Sequence, residues 1–168
     1  ALNAEMTEWR RALHQKPEMA FEEEWTSDFI AEKLESFGIE IHRGLAKTGI
    51  VGVVRGKVPG KRAIGLRADM DALRIEEANT FTHRSQHPGI MHACGHDGHS
   101  AMLLGAARHL AEHPDFAGTV YLIFQPAEEN EGGARVMIEE GLFDQFPMEA
   151  VYGMHNAPGL AVGQLDLR

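Results

Sequence analysis

Cysteine is nearly absent from this sequence, which contains one in 168 residues. A single cysteine cannot form a disulfide within the chain, so nothing indicates a secreted, disulfide-stabilised scaffold. No hydrophobic run approaches the roughly 20 residues that a membrane-spanning helix needs, and no signal-peptide pattern opens the chain. We therefore expect a cytoplasmic protein without a membrane partner.

Basic charge is also scarce. Lys and Arg together number 16 against 25 Asp and Glu, which gives a net charge of -9. The sequence contains no basic stripe and no run of like charges, which argues against nucleic acid or an acidic membrane as a partner. Internal repeats and low-complexity tracts are missing as well. With 43% hydrophobic residues, the chain is long enough for one domain with a real core.

Hydrophobic periodicity predicts an α/β fold. Helices are predicted over residues 2–18, 21–38, 98–113 and 132–143. Apolar strands are predicted over residues 49–56, 62–73, 118–129 and 148–159, the last of them buried. Because apolar strands alternate with helices, we expect a three-layer domain in which helices flank a mostly parallel central sheet.

Polar side chains that could bind a metal or carry a proton follow the buried parts of three predicted strands. They are Asp69 with Asp71, Glu128 with Glu129, and His155. A fourth segment, HACGHDGHS at 92–100, lies just before the helix between two of these strands. Sites in open α/β sheets form at the carboxyl ends of the strands. We therefore predict one metal site at that edge of the sheet.

The types of side chain in these segments narrow the choice of metal. Thiolate, imidazole and carboxylate together suit zinc or a neighbouring divalent transition ion, whereas calcium and magnesium prefer oxygen ligands. Cys94 and His96 are second neighbours and can face one site in an extended chain. Of the adjacent Glu128 and Glu129, one can bind metal while the other faces substrate and water, because a general base must not be tied up as a ligand.

Each residue taken alone has a plainer interpretation. Cys94 can be a buried, inert thiol, Asp97 can cap the helix that follows it, and the two glutamates can simply favour a helix N-terminus. Other catalytic patterns fit poorly, because the chain has no G-x-S-x-G elbow and HACGH lacks the glutamate of a zincin helix. A nucleophilic pair of Cys94 with a histidine stays open.

Four segments carry a family resemblance, namely LRADMDAL, MHACGHDGH, FQPAEE and GMHN, in that order. They resemble the metal-dependent aminoacylase and carboxypeptidase superfamily, in particular its amidohydrolase branch. That branch contains bacterial hippurate hydrolases, also called N-acyl-amino-acid amidohydrolases, and plant auxin-conjugate hydrolases. The resemblance covers nearly the whole chain. It implies hydrolysis of the amide bond of hippurate-like N-acyl amino acids by a homodimeric enzyme with two divalent transition-metal ions (Zn, Mn, Ni or Co).

The resemblance also implies roles for individual residues. Cys94 matches a cysteine that bridges the two metal ions, and His96, Glu129 and His155 match further metal ligands. Glu128 matches the general base, which acts on a metal-activated water.

Other residues of these motifs have weaker assignments. Asp71 matches an acid that we group with the catalytic residues. It is expected to contact the metal ligands rather than the metal ions. Asp69 stands where sister branches keep a ligand histidine. His92, Asp97 and His99 lie inside the motif, and the resemblance implies no firm role for them.

The domain organisation follows from the same resemblance. Members of the branch continue with an inserted dimerisation domain and then return to the catalytic domain, which brings the last strands and a final histidine ligand. Residues 1–168 are therefore expected to be the N-terminal part of a catalytic domain. Two alternatives remain, a di-metal dipeptidase or carboxypeptidase of the same superfamily and a catalytically incompetent metal-binding fragment.

We expect residues 1–168 alone to hydrolyse N-acyl amino acids little or not at all, because a ligand and the inserted domain are missing from them. The measurement is hippurate turnover by the purified 168-residue chain with added divalent metal. Robust turnover would contradict the expectation.

Overall fold

The structure, a computed structural model, describes residues 2–129 and 131–166. Its helices are α1 (Leu2–Gln15), α2 (Glu24–Ser36), α3 (His96–Glu112), α4 (Gly133–Glu139) and α5 (Leu142–Gln145). Its strands are β1 (Glu40–Arg43), β2 (Ile50–Arg55), β3 (Val58–Asp69), β4 (Ala117–Gln125) and β5 (Val151–Gly153).

The five strands form one sheet in the order β1-β2-β4-β3-β5. β3 is parallel to both β4 and β5, whereas β2 is antiparallel to both β1 and β4. The predicted α/β class is confirmed, but the sheet is mixed rather than mostly parallel. β1 was not predicted from the sequence. A short turn joins it to β2, and so short a connection can only give an antiparallel pair.

Two predicted helices differ from the observed ones for local reasons. The helix predicted from Phe21 begins at Glu24, because Phe21 has a positive φ of 60° and the Glu18 carboxylate accepts the N–H groups of Trp25 and Thr26. The helix predicted over 132–143 is divided into α4 and α5. Gly141, with φ of 91°, separates them, and this left-handed conformation favours glycine.

The last predicted strand is also different. Residues 148–159 were expected to form a buried strand, but only β5 is regular and all three of its residues are exposed. β5 pairs with β3 on one side and is the edge strand of the described sheet. Val151, Tyr152 and Met154 therefore lie on the surface of the described chain, whereas Met148 is partly buried against the core, so hydrophobicity alone misplaced most of this strand.

Helices cover both faces of the sheet. α1, α2 and α3 pack on one face, in a core that contains Trp9, Ile30, Leu34, Ile50, Leu104 and Phe124. α4 and α5 pack on the other face, in a core that contains Val51, Ile123, Met137, Leu142 and Phe146. Neighbours along β2 and β4 thus point to opposite cores, as strand geometry requires. Within residues 2–129 and 131–166, no helix has the length and hydrophobicity needed to cross a bilayer.

A buried network of charged side chains fastens the end of α1 to the start of α3. His14 Nδ1 lies 2.8 Å from Asp97 Oδ2, and His14 Nε2 lies 3.0 Å from Glu77 Oε1. Arg10 adds a hydrogen bond to Asp97 at 3.2 Å. The hydrogen bond to Asp97 raises the pKa of His14 against the opposing effect of burial, and Glu77 raises that pKa further.

This network corrects the predicted role of Asp97 as a helix cap. α3 begins at His96, directly after Gly95, and no side chain caps its first turn. The Asp97 carboxylate is fully buried and faces α1 instead. Glu77 extends the network to the long loop before α3, because it also accepts the backbone N–H of Ser85.

We predict that His14→Ala lowers the free energy of unfolding by about 3–5 kcal/mol in mildly acidic buffer, since it removes the imidazolium that pairs with two buried carboxylates. The raised pKa of His14 means that its stabilising effect is fully present below about pH 6.5. That effect is lost as pH rises through the folded-state pKa. It is also lost toward strong acid, because the pKa values of Asp97 and Glu77 are lowered in the folded state.

Urea unfolding of both proteins across this pH range provides the measurement. The difference between wild type and His14→Ala should shrink as the pH is raised above neutrality. A difference that stays constant with pH would contradict the predicted charge on His14.

Candidate metal centre

The predicted site residues come together at one edge of the sheet. Asp69 is the last residue of β3, and Asp71 follows it two residues later. Glu128 and Glu129 follow β4, and His155 follows β5. Cys94 and His96 reach the same place from the start of α3. The convergence expected from the ends of the strands is therefore observed, whereas the role of each residue remains a prediction.

His96 is at the centre of this cluster. Among the residues that the structure describes, three groups of side chains each bring their ligand atoms within 4.8 Å of one another, and His96 belongs to all three. The groups are Cys94 with His96 and His155, Asp69 with His96 and His99, and His96 with Glu128 and Glu129.

The two ring nitrogens of His96 have different surroundings. Nδ1 lies 3.1 Å from Asp71 Oδ1, so its N–H donates to that carboxylate. Nε2 is buried and has no hydrogen-bond partner among the described residues. The acids nearest to it are Asp69 at 3.7 Å, Glu129 at 3.8 Å and Glu128 at 3.9 Å. A buried polar atom without a partner is rare, and a lone pair oriented in this way is the usual state of a metal-binding imidazole.

Two tight backbone conformations shape the cluster. Gly95, between Cys94 and His96, has φ of 100°, and a Cβ there would collide with the Asn156 side chain. Ala127, just before Glu128, has a positive φ of 53°. Glycine is the residue that such a turn normally requires, so the conformation of Ala127 must be held by its contacts.

Glu23 supplies those contacts and was missed in the sequence. Its buried carboxylate accepts the Ala127 N–H at 2.9 Å and the Thr48 hydroxyl at 2.7 Å. Burial raises the pKa of Glu23. Glu23 stands in a run of three glutamates, a pattern typical of a solvated surface, and its partner Ala127 is 104 positions away. No local signal distinguishes it.

The cluster concentrates negative charge. Burial raises the pKa of Asp69, but hydrogen bonding to His99 and the charge of Arg67 outweigh it and bring the pKa to about 2. Burial likewise opposes ionisation of Asp71, while hydrogen bonds from His96 and the Glu129 backbone lower its pKa overall. Both acids are therefore ionised at neutral pH, and with the two glutamates they favour a cation.

Cys94 is neither buried and inert nor activated as a nucleophile. It is partly exposed, and its Sγ lies 3.4 Å from His155 Nε2. Burial of the thiol and the nearby Glu129 raise its pKa to about 11. A nucleophilic cysteine needs a lowered pKa, so the alternative of a Cys–His nucleophile pair is disfavoured. A bound cation would lower the pKa of Cys94 and stabilise the thiolate.

Two residues of the motif stay outside the three groups. Asp97 faces His14, as described above. His92 is buried, and neither of its ring nitrogens has a hydrogen-bond partner among the described residues. Burial lowers the pKa of His92 to about 4, so its ring is neutral. His99, by contrast, is part of the cluster and contacts both Asp69 and Asn156.

Comparison with known proteins agrees with this geometry. Residues 65–168 match the sequence profile of peptidase family M20/M25/M40. Hippurate hydrolase of Campylobacter jejuni is 46% identical over 157 residues, which are 94% of this chain and 40% of that protein. N-acetyl-L-cysteine deacetylase of Bacillus subtilis is 49% identical over 160 residues, 95% of this chain and 38% of that protein.

A solved structure matches the fold closely. The YXEP protein of Bacillus subtilis, described as a dinuclear metal-binding peptidase from the M20 family, superimposes with a TM-score of 0.91 at 41% identity. The match covers 96% of this chain and 45% of that one. The chain therefore spans about 40% of the length of the curated relatives it matches.

We predict that Cys94→Ala weakens binding of both ions of a metal pair, because the resemblance makes Cys94 a ligand shared by the two. The expected loss of affinity is at least about 10–100-fold, the range already seen when only an outer partner of a ligand is removed. Elemental analysis and chelator competition on the purified protein measure it. Unchanged metal content and affinity would refute the shared-ligand role.

Proposed function

The chain belongs to peptidase family M20/M25/M40, and on that premise we propose that it is the metal-binding part of a hydrolase that cleaves the amide bond of N-acyl amino acids. The observation that carries this proposal is the buried, unpartnered Nε2 of His96, surrounded by a thiol, carboxylates and a second imidazole. Two similar proteins, a hippurate hydrolase and an N-acetyl-L-cysteine deacetylase, are named for substrates that are N-acyl amino acids.

The donor set fits two divalent transition-metal ions, such as Zn, Mn, Ni or Co. In this proposal Cys94 serves both ions, and His96, Glu129 and His155 each bind one of them. The dinuclear site named for the Bacillus subtilis structure supports the number of ions. When bound, such ions polarise the amide carbonyl and lower the pKa of the attacking water.

Glu128 is the proposed general base. Its side chain is 42% exposed, against 23% for Glu129, so it reaches both the cluster and the open side where water and substrate enter. Glu128 takes the proton of the attacking water as the new C–O bond forms. It then passes that proton to the amine nitrogen as the C–N bond breaks, so a carboxylic acid and an amino acid leave.

Asp71 contacts two of the proposed metal ligands and holds them in place. One carboxylate oxygen accepts from His96 Nδ1 and the other accepts the backbone N–H of Glu129 at 2.9 Å. It therefore fixes the tautomer of one proposed ligand and the backbone of another. In this arrangement Asp71 acts as a positioning residue, although we first grouped it with the catalytic residues.

A dipeptidase or carboxypeptidase is the second candidate, because the Bacillus subtilis structure is described as a peptidase. Both reactions cleave an amide next to a free amino acid, and the described residues form the hydrolytic centre rather than an acyl pocket. Turnover of hippurate against a dipeptide of the same length, by the full-length enzyme, separates the two candidates.

We predict unequal effects for equal changes at the two adjacent glutamates. Glu128→Gln keeps the size of the side chain and removes its basicity, so the metal content should stay at the wild-type level. The turnover rate should fall by ~10²–10⁴, as for a lost general base. That loss corresponds to roughly 3–5 kcal/mol of activation free energy. Glu129→Gln should lose metal first and recover part of its activity in excess metal.

Metal content and turnover, measured side by side on both variants of the full-length enzyme, test the assignment. If the two acids only favour a helix start, both changes should be small and similar, at ~0.3–1 kcal/mol of stability. Near wild-type turnover by Glu128→Gln would show that the base has been assigned wrongly.

A further inference from the structure

His155, a proposed metal ligand, lies on an exposed part of the chain. β5 pairs with β3 only through residues 151–153, and Met154, His155 and Asn156 beyond it are all exposed. A ligand on such a segment needs something rigid to hold it, because a ring free to turn loses conformational entropy when it binds.

Beyond the β5 ladder, the hydrogen bonds of residues 154–156 within the described chain involve few partners. His155 Nδ1 donates to the carbonyl of Asn156 at 2.7 Å, which leaves Nε2 with a lone pair facing Cys94 Sγ at 3.4 Å. Asn156 in turn donates its backbone N–H to His99 Nε2 at 3.1 Å. The orientation of His155 thus depends on Asn156, and the position of Asn156 depends on His99.

His99 is well suited to be that anchor. Its ring is buried, and its Nδ1–H donates to Asp69 Oδ1 at 2.7 Å. The other carboxylate oxygen of Asp69 accepts from Arg67 at 2.6 Å, and Arg67 also donates to Gln125 Oε1 at 2.8 Å. Both oxygens of Asp69 are therefore occupied by protein partners, although Asp69 lies within metal-binding distance of His96.

The side chain of Asn156 also contacts His99. The amide lies 2.6 Å from His99 Nε2. Because Nε2 accepts the Asn156 backbone N–H and so carries no proton, the amide presents its NH₂ to the ring. The amide packs over Gly95, where no Cβ would fit. The Asn156 side chain is therefore held between His99 and the turn that carries Cys94 and His96.

We infer that His99 is a positioning residue, which fixes the tautomer and place of His155 through Asn156, and that Asp69 braces His99 rather than binding metal. The inference rests on the proposed function for its consequence, which is tight metal binding. The other consequence, which ring nitrogen of His155 carries the proton, can be measured in the metal-free protein as well.

Two substitutions at His99 separate its two contacts. His99→Asn places an amide where Nδ1 was, so it keeps a donor toward Asp69 but does not reach Asn156. His99→Gln places an amide where Nε2 was, so it offers the Asn156 N–H an acceptor again. His109→Asn is the matched control, because it makes the same change on α3 away from the site.

The first readout is the proton position on His155, measured by ¹⁵N–¹H NMR on the metal-free protein in mildly alkaline buffer. Wild type and His109→Asn should hold the proton on Nδ1. In His99→Asn the proton should move to Nε2, the form that free histidine favours, and His99→Gln should restore the Nδ1 form.

The second readout is Zn²⁺ affinity by chelator competition. His99→Asn should bind Zn²⁺ about 10–100-fold more weakly, as for other lost outer partners of a ligand, and His99→Gln should recover most of that loss. An unchanged His155 proton and unchanged affinity in His99→Asn would overturn the inference. So would a His99→Gln variant no better than His99→Asn.

Asn156→Pro gives the answer if His99→Asn does not fold, since it removes the backbone N–H that His99 accepts, at an exposed position outside the core. It should shift the His155 proton in the same direction and weaken Zn²⁺ binding, and no change in either would overturn the inference. A full-length wild-type enzyme that binds no pair of Zn²⁺ ions would contradict the proposed function. The His155 signals would still decide the role of His99.

Discussion

The rest of the site depends on the imidazole of His96, which has one ring nitrogen hydrogen-bonded to a carboxylate and the other without a hydrogen-bond partner among the described residues. His96 is completely buried, its Nδ1 is bound to Asp71, and its Nε2 faces the cluster without a protein partner. Leaving a buried polar atom unpaired costs free energy. The arrangement persists because the surrounding structure holds the ring, and the cost is recovered when a cation binds.

The mixed sheet provides that rigidity. β3 and β4 are parallel, so Asp69 at the end of one strand and the Pro126–Ala127 turn after the other reach the same edge. The turn is held in its strained conformation by buried Glu23, and the start of α3 is held by the contact of Asp97 with His14. Three segments that carry site residues are thus each fastened to the N-terminal part of the chain or to the core.

The cluster around His96 contains more negative than positive side chains. Four carboxylates lie near His96, and Arg67 is paired with only one of them. Burial of the thiol, together with this excess of negative charge, keeps Cys94 protonated in the metal-free protein, and the same charge favours a cation. The centre is therefore a place where a bound metal improves both the electrostatics and the hydrogen bonding of groups that are otherwise poorly satisfied.

Much of this could be predicted from the sequence, because helices and strands leave periodic patterns and because polar residues after apolar strands meet at one edge. The order of apolar and polar residues along the chain indicated that Asp71, Cys94, Glu128 and His155 lie at one edge of the sheet. The mixed order of the sheet, the true direction of Asp97 and the parts played by Glu23 and His14 came only from the tertiary structure. Their contacts join residues 83 and 104 positions apart, and such pairs leave no periodic trace, since only the folded chain brings them together.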